Sequence, residues 1–293
     1  MKLVIADNLE PEVIEELKKL GEVVYKPTNL TNDLKDADIF IVRSATKVTK
    51  ELLTSASKLK VVARAGVGLD NVDVKACEAR GIKVINTPSS SSNAVAELTI
   101  GLIISMLRNV QKAHHQMKNK IWDKKNLTGE EIEGKTLGII GYGRIGSLVA
   151  KKAKALGMIV LAYDPKTKGD GNATAISIDE LFKSSDIISL HTILTPETKD
   201  MIDIKSIAKM KSGVYLVNLA RGDLIDETAL YEACKSGKIA GAALDVYKEE
   251  PYSGKLLELE NVYFTPHLGA ATKEAQLRIG KELVEKIRNE IVK

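Results

Sequence analysis

A chain of 293 residues is long enough for about two domains at the usual 100 to 200 residues each. With 44% hydrophobic and 28% charged residues, the composition excludes intrinsic disorder for want of apolar surface, and collagen-like or disulfide-stapled scaffolds with it. Lys+Arg 43 and Asp+Glu 39 nearly cancel, and a net charge of +4 lacks the basic footprint that a nucleic-acid partner demands.

The opening Met1-Lys2-Leu3-Val4-Ile5-Ala6-Asp7 reads as a strand ending in an acid and lacks the long apolar core and small-residue cleavage site of a signal peptide. β-Branched runs at Leu3 to Ala6, Ile39 to Val42, Val61 to Ala63 and Lys83 to Ile85 predict strands, with amphipathic stretches such as Pro11 to Leu20 between them. The serine run Ser89 to Ser92 reads as a turn and helix cap. One helix is expected near 94 to 118. Its most apolar part, Ala94 to Leu107, is interrupted by Glu97, Thr99 and Ser105 and falls short of the roughly 20 residues that span a bilayer. His114 and His115 on this helix are expected at the surface or an interface, and Trp122 lies in the Lys-rich connector from Lys118 to Gly134. The strand rhythm then resumes at Leu137 to Ile140, Ile159 to Tyr163, Ile187 to Leu190, Val214 to Asn218, Gly241 to Val246 and Val262 to Thr265. The terminal segment Thr272 to Lys293 spaces Ala275, Ile279, Leu283, Ile287 and Ile291 by four, the stripe of a long amphipathic helix. Cys77 and Cys234 match no metal or redox spacing and read as buried apolar residues in a reducing, cytoplasmic setting; no metal site is expected.

Gly141-Tyr142-Gly143-Arg144-Ile145-Gly146 joins an apolar strand to a helical run. In that context the first glycine permits a tight turn, the second admits a pyrophosphate and the third lets helix and strand pack closely. Asp164, at the end of the next strand, would accept hydrogen bonds from both adenosine ribose hydroxyls and repel a 2′-phosphate, which favours NAD over NADP. Arg64-Ala65-Gly66-Val67-Gly68-Leu69-Asp70 also joins strand to helix and reads either as a plain turn or as an anion-binding loop.

Oxidation of a secondary alcohol by nicotinamide requires a base, a cation for the neighbouring carboxylate, and a group that orients the base. Arg221, Asp245, Glu250 and His267 each stand at or after a strand end, where ligands of open α/β sheets bind. The chain resembles the D-isomer-specific 2-hydroxyacid dehydrogenase family nearly end to end. The resemblance rests on Val42 to Thr49, Arg64 to Asp73, Asn86-Thr87-Pro88, Gly138 to Gly146, Tyr163-Asp164-Pro165, Val217 to Gly222, Gly241 to Pro251 and Thr265 to Ala270.

That resemblance implies an α/β chain of two Rossmann-like, doubly wound parallel-sheet domains with a cleft between them. Residues 1–94 plus 273–293 would form the substrate domain and 95–272 the NAD domain. It implies that His267 is the general acid/base, that Glu250 orients its imidazole, and that Arg221 holds the substrate's carboxylate and keto oxygen. Gly141, Gly143, Arg144, Ile145, Gly146, Asp164, His191, Thr192, Ala220, Arg221, Asp245, His267, Gly269 and Ala270 would line the cofactor, with Asp245 at the nicotinamide end. Arg43 and the loop Ala65, Gly66, Val67, Gly68 would reach substrate, together with Arg221 and His267. Ile193 stands where relatives commonly carry proline. The members acting on 3-phospho-D-glycerate are the nearest in pattern, which implies entry to serine synthesis by a homodimer or higher homo-oligomer with no nucleic-acid or membrane partner. Glyoxylate or hydroxypyruvate reduction is the alternative, and an NAD-sensing corepressor-like role the remote one.

Overall fold

The computed structural model describes residues 1–291. It forms two compact units, Met1–Ser92 joined by the segment from Ala270 onward, and Asn93–Gly269. The sequence-based limits at 94 and 272 give way to Ser92 and Gly269, and the expected helix end at Lys293 lies outside the described residues.

The first unit alternates β1 (Lys2–Ile5), α1 (Pro11–Lys18), β2 (Glu22–Tyr25), α2 (Leu30–Asp33), β3 (Ile39–Val42), α3 (Lys50–Thr54), β4 (Val61–Arg64), α4 (Val74–Glu78) and β5 (Lys83–Asn86). The sheet is parallel, in the order β2-β1-β3-β4-β5. Strand β2, whose residues are only partly buried, is an edge strand without a strong apolar signature and escapes the sequence pattern. Both faces of the central strands are covered: Leu3, Ile5, Ile39 and Ile41 pack into one core cluster while Val4, Phe40 and Val42 pack into another. Continuous apolar strands such as Ile39-Phe40-Ile41-Val42 follow from that double burial.

The second unit contains α5 (Ser92–Leu107), α6 (Val110–Lys118), β6 (Thr136–Ile140), α7 (Arg144–Ala155), β7 (Ile159–Tyr163), β8 (Thr174–Ala175), α8 (Ile178–Ser184), β9 (Ile187–Leu190), α9 (Ile204–Lys209), β10 (Val214–Asn218), α10 (Glu227–Lys235), β11 (Ile239–Leu244) and β12 (Val262–Phe264). The single helix expected over 94 to 118 is two helices that meet at 65°. The break is Asn109, whose φ of 53° is a left-handed conformation that asparagine tolerates better than most residues. Helix α5 is apolar nearly all round because it is buried against β6 and α7 through Ile103, Leu107, Leu137 and Val149. Among the described residues no single helix is long and apolar enough to cross a membrane.

The seven strands run in the order β12-β11-β10-β9-β6-β7-β8, all parallel. Strand order reverses between β6 and β9, the switch point at which doubly wound sheets bind ligands.

The closing helix α11 (Lys273–Ile291) belongs to the first unit and packs on α1. Ala275, Ile279, Leu283 and Ile287 of its stripe are buried, while Ile291 at its end is exposed. The serine run does more than turn the chain: Ser89 and Ser90 donate their hydroxyls to Glu282 of α11. Close approach of the two helices depends on Gly280, where a Cβ would lie 2.0 Å from Val13 Cγ2 and 3.0 Å from Val13 Cβ. Gly280→Ala should therefore overpack this contact and cost about 1–3 kcal/mol, read as a lower urea midpoint at unchanged slope.

Candidate active site

The parallel register of the second sheet lines up its carboxyl ends. Phe264 pairs with Leu244, Leu244 with Asn218, Asn218 with Leu190, Leu190 with Ile140, and Ile140 with Tyr163. Directly beyond these six positions stand Thr265 to His267, Asp245, Ala220 to Arg221, His191 to Thr192, Gly141 and Asp164. The catalytic and cofactor candidates of this unit thus share one sheet edge, on strands about 4.8 Å apart.

His267 sits in a strained turn with φ 55°, a conformation that costs a non-glycine residue roughly 1–3 kcal/mol. Asp245 holds the turn. Its carboxylate is fully buried and accepts the Thr265 hydroxyl at 2.6 Å, the Leu268 N–H at 2.6 Å and the Gly269 N–H at 2.8 Å, donors from both sides of His267. The sequence analysis expects Asp245 at the nicotinamide end of the cofactor; what the structure shows is this clamp. Glu250 lies against the same turn, with Oε2 2.9 Å and Oε1 3.1 Å from His267 Nδ1. The contact holds the ring through Nδ1. Both side chains are about two-fifths exposed, so the pair is accessible to a ligand.

Tyr247 supports this arrangement from behind and was not evident in the pattern of charged residues. Its phenol donates to the Leu244 and Thr265 carbonyls at 2.9 and 2.8 Å, and its ring stacks on Tyr252 with centroids 4.5 Å apart. Burial pushes the phenol up to about 12, so it remains a donor throughout the neutral range. The available signal was local density: a chain with 4% aromatics gathers Tyr247, Tyr252, Tyr263 and Phe264 in one short stretch.

Arg221 is half-buried and its backbone is fixed by Asn218, which donates to the Arg221 carbonyl at 2.8 Å and accepts from the Ala220 N–H at 3.0 Å. The Arg221 guanidinium also donates to the Ala220 carbonyl at 2.6 Å. Gly222 explains the glycine that follows. A Cβ there would come within 2.0 Å of the Tyr247 carbonyl carbon, so only glycine lets the arginine loop lie against the loop leading to Glu250.

At the cofactor end, the three glycines do different work. A Cβ at Gly141, where φ is 94°, would meet the His191 backbone at 2.6 Å; one at Gly146 would meet the Gly141 carbonyl oxygen at 2.1 Å. At Gly143 a Cβ would enter open space, and no side chain caps the N-terminus of α7 that begins there. The N–H groups of Arg144 and Ile145 are therefore available to a phosphate, as a dinucleotide requires. Asp164 accepts from the Tyr142 N–H at 3.0 Å and the Lys166 N–H at 2.9 Å, which orients its carboxylate while leaving lone pairs for ribose hydroxyls. His191 anchors its Nε2 to Ser189 at 2.8 Å, and desolvation lowers its pKa to about 4, so this wall is uncharged at neutral pH. Thr192 is half-buried and Ile193 is 74% exposed. These residues fit NAD.

In the first unit Arg43 follows β3, and Ala65 to Gly68 follow β4 beside it. Asp7 accepts from the Arg43 N–H at 2.5 Å and from the Thr46 hydroxyl at 2.6 Å, while Asn71 donates to the Arg43 and Thr46 carbonyls. Ala270 opens the segment that returns to this unit.

Replacing Asp245 with Asn leaves one acceptor oxygen and turns an NH₂ group toward a backbone N–H. The turn at His267 should loosen, with a loss of about 1–3 kcal/mol in urea unfolding and faster amide exchange at Leu268 and Gly269.

Residues 100–269 match the NAD-binding domain of the D-isomer-specific 2-hydroxyacid dehydrogenases. The chain is 48% identical to the hydroxypyruvate reductase of Thermotoga maritima, over 98% of this chain and 97% of that protein. It is also 48% identical to the D-3-phosphoglycerate dehydrogenase of Methanocaldococcus jannaschii, over 98% of this chain but 57% of that protein, so it spans little more than half of such relatives. The D-lactate dehydrogenase of Aquifex aeolicus, solved with NAD and lactic acid, superposes with a TM-score of 0.88 at 34% identity, covering 99% of this chain and 95% of that one. The chain belongs to the D-isomer-specific 2-hydroxyacid dehydrogenase family, as an NAD-dependent oxidoreductase acting on CH–OH donors.

Proposed function

We propose that this enzyme oxidises 3-phospho-D-glycerate to 3-phosphohydroxypyruvate, the reaction that opens serine synthesis. The observation that favours this substrate is the placement of two arginines at the carboxyl ends of adjacent strands of the first sheet: Arg64 ends β4 opposite Val42, and Arg43 is the residue after Val42. A substrate with both a carboxylate and a phosphate calls for cations beyond Arg221, and planar guanidinium groups suit phosphate oxygens. Lys47, exposed on the loop after β3, adds a third positive charge nearby in sequence.

Arg144, Ile145 and Asp164 would hold the cofactor's diphosphate and ribose. NAD, when bound, supplies the two-electron acceptor for the C2–H bond. His267 Nε2 takes the C2 hydroxyl proton, and Glu250 at Nδ1 stabilises the imidazolium that results. Arg221 binds the substrate carboxylate and polarises the carbonyl oxygen as it forms. Asp245 keeps the proton acceptor at its station through the turn it clamps.

A second reading, hydroxypyruvate reduction, draws on the Thermotoga relative, which this chain matches over nearly its full length. It uses the same groups with the proton moving from His267 to the substrate oxygen.

We infer also that α6 and the residues after it pair with the same segment of a second copy, because Val110, Met117, Ile121 and Trp122 are at least half exposed and Trp122 is 80% exposed. Following NADH absorbance, phosphoglycerate with NAD should turn over with a higher kcat/KM than D-glycerate with NAD. The opposite ranking, with fast hydroxypyruvate reduction, would transfer the assignment to the reductase. Arg221→Lys, which keeps the charge but not the fork, should lower kcat/KM on the order of 100-fold. Light scattering should give twice the chain mass, and Trp122→Asp should give the monomer mass.

A further inference from the structure

Tyr142 occupies the variable position between the first two glycines of the phosphate loop, and its two polar groups point to two different parts of the nucleotide end. Its N–H donates to Asp164 Oδ2 at 3.0 Å. Its phenol donates to Asp170 Oδ1 at 2.8 Å, across the loop that follows β7. That loop supplies the other hydrogen bond to the same carboxylate, from the Lys166 N–H to Asp164 Oδ1 at 2.9 Å. Asp164 is thus gripped on both oxygens. One grip is Tyr142 itself; the other belongs to a loop whose far side is tied to Tyr142. Lys154 of α7 adds a second tie, to the Gly171 carbonyl.

We propose that Tyr142 is a positioning residue that sets the preference of this enzyme for NAD over NADP, by holding the Lys166–Asp170 loop and with it the rotamer of Asp164. This inference rests on the NAD reading of the site. With the loop tied, the carboxylate faces the ribose and repels a 2′-phosphate. With the phenol removed, the Tyr142 N–H and the Lys154 tie remain, but the loop gains freedom to carry Lys166 and Lys168, both exposed cations, toward the 2′-position, and the Lys166 N–H holds Asp164 Oδ1 less firmly.

The tether is separable from the fold. Asp170 Oδ1 also accepts from the Asn172 N–H at 2.7 Å and the Ala173 N–H at 3.2 Å, so the turn closes without the phenol. Burial, and next the Asp170 carboxylate, hold the Tyr142 phenol well above the ordinary range, so it stays a donor across neutral pH.

The test uses ADP-ribose and 2′-phospho-ADP-ribose, which carry the discriminating group without redox chemistry. Calorimetric titration of the full chain and its Tyr142→Phe variant should show ADP-ribose binding weakened roughly 3- to 10-fold and the preference over the 2′-phosphorylated ligand reduced by about tenfold, the size expected for one lost hydrogen bond. Hydrogen exchange across 165–173 in the ligand-free variant should accelerate, which reports the tether itself. Asp170→Asn, which keeps the acceptor oxygen, should retain the wild-type preference. Unchanged exchange would overturn the tether. Faster exchange with an unchanged ligand preference would overturn the discriminating role. Failure of the wild-type chain to bind ADP-ribose would overturn the NAD reading and this inference with it, a result distinct from either.

Discussion

The site depends on the register of a parallel sheet. Because every strand of the second unit runs the same way and the ladders are in step at their carboxyl ends, six strand ends come level from Phe264 to Tyr163. Groups distant in sequence, such as Asp164 and His267, then emerge from one edge without any long loop to carry them. Apolar strands buried on both faces maintain that register, since a slip of one residue would exchange the side chains of the two cores. Rigid placement of this kind suits chemistry that needs an acid/base, a cation and a nucleotide at fixed stations.

Against that rigid edge, one segment is deliberately strained. His267 has a positive φ, and the cost of that conformation is offset by three hydrogen bonds to the buried Asp245 carboxylate. Charged acceptors form stronger hydrogen bonds than neutral ones, and burial removes the competition from water. Tyr247 repeats the principle one layer further out, joining the ends of β11 and β12 through a single phenol. Gly222 contributes by lacking a side chain, so that two loops touch backbone to backbone. The candidate pair of His267 and Glu250 is about two-fifths exposed, while the Asp245 carboxylate that holds the turn is fully buried.

The nucleotide end follows a different logic. There the protein's own backbone takes up the space at Gly141 and Gly146 and leaves Gly143 open. Polar groups converge on Asp164 from its own loop and from the glycine loop, so that its orientation is a property of two segments at once. His191, neutral through desolvation and anchored by Ser189, adds a wall that does not change charge in the working range.

Much of this was legible from the sequence because it is local. Strand and helix periodicity, the spacing of Gly141, Gly143 and Gly146, and an acid at the end of the following strand are each set within a few tens of residues by steric and hydrogen-bonding rules. Weakly patterned elements were not legible: β2 is half-exposed, β8 is two residues long, and the break at Asn109 needs no proline or glycine to announce it. Nor were Asp7, Asn71, Asn218 and Tyr247, whose roles rest on partners far along the chain or on carbonyls with no sequence signature. Local pattern was enough for the α/β class with parallel sheets and for the cofactor motif, and it singled out Arg221, Glu250 and His267 as candidates. That Asp245 clamps a strained His267 and that Tyr142 reaches Asp170 emerged from the folded chain alone, because long-range contacts are chosen by packing and register and not by local propensity.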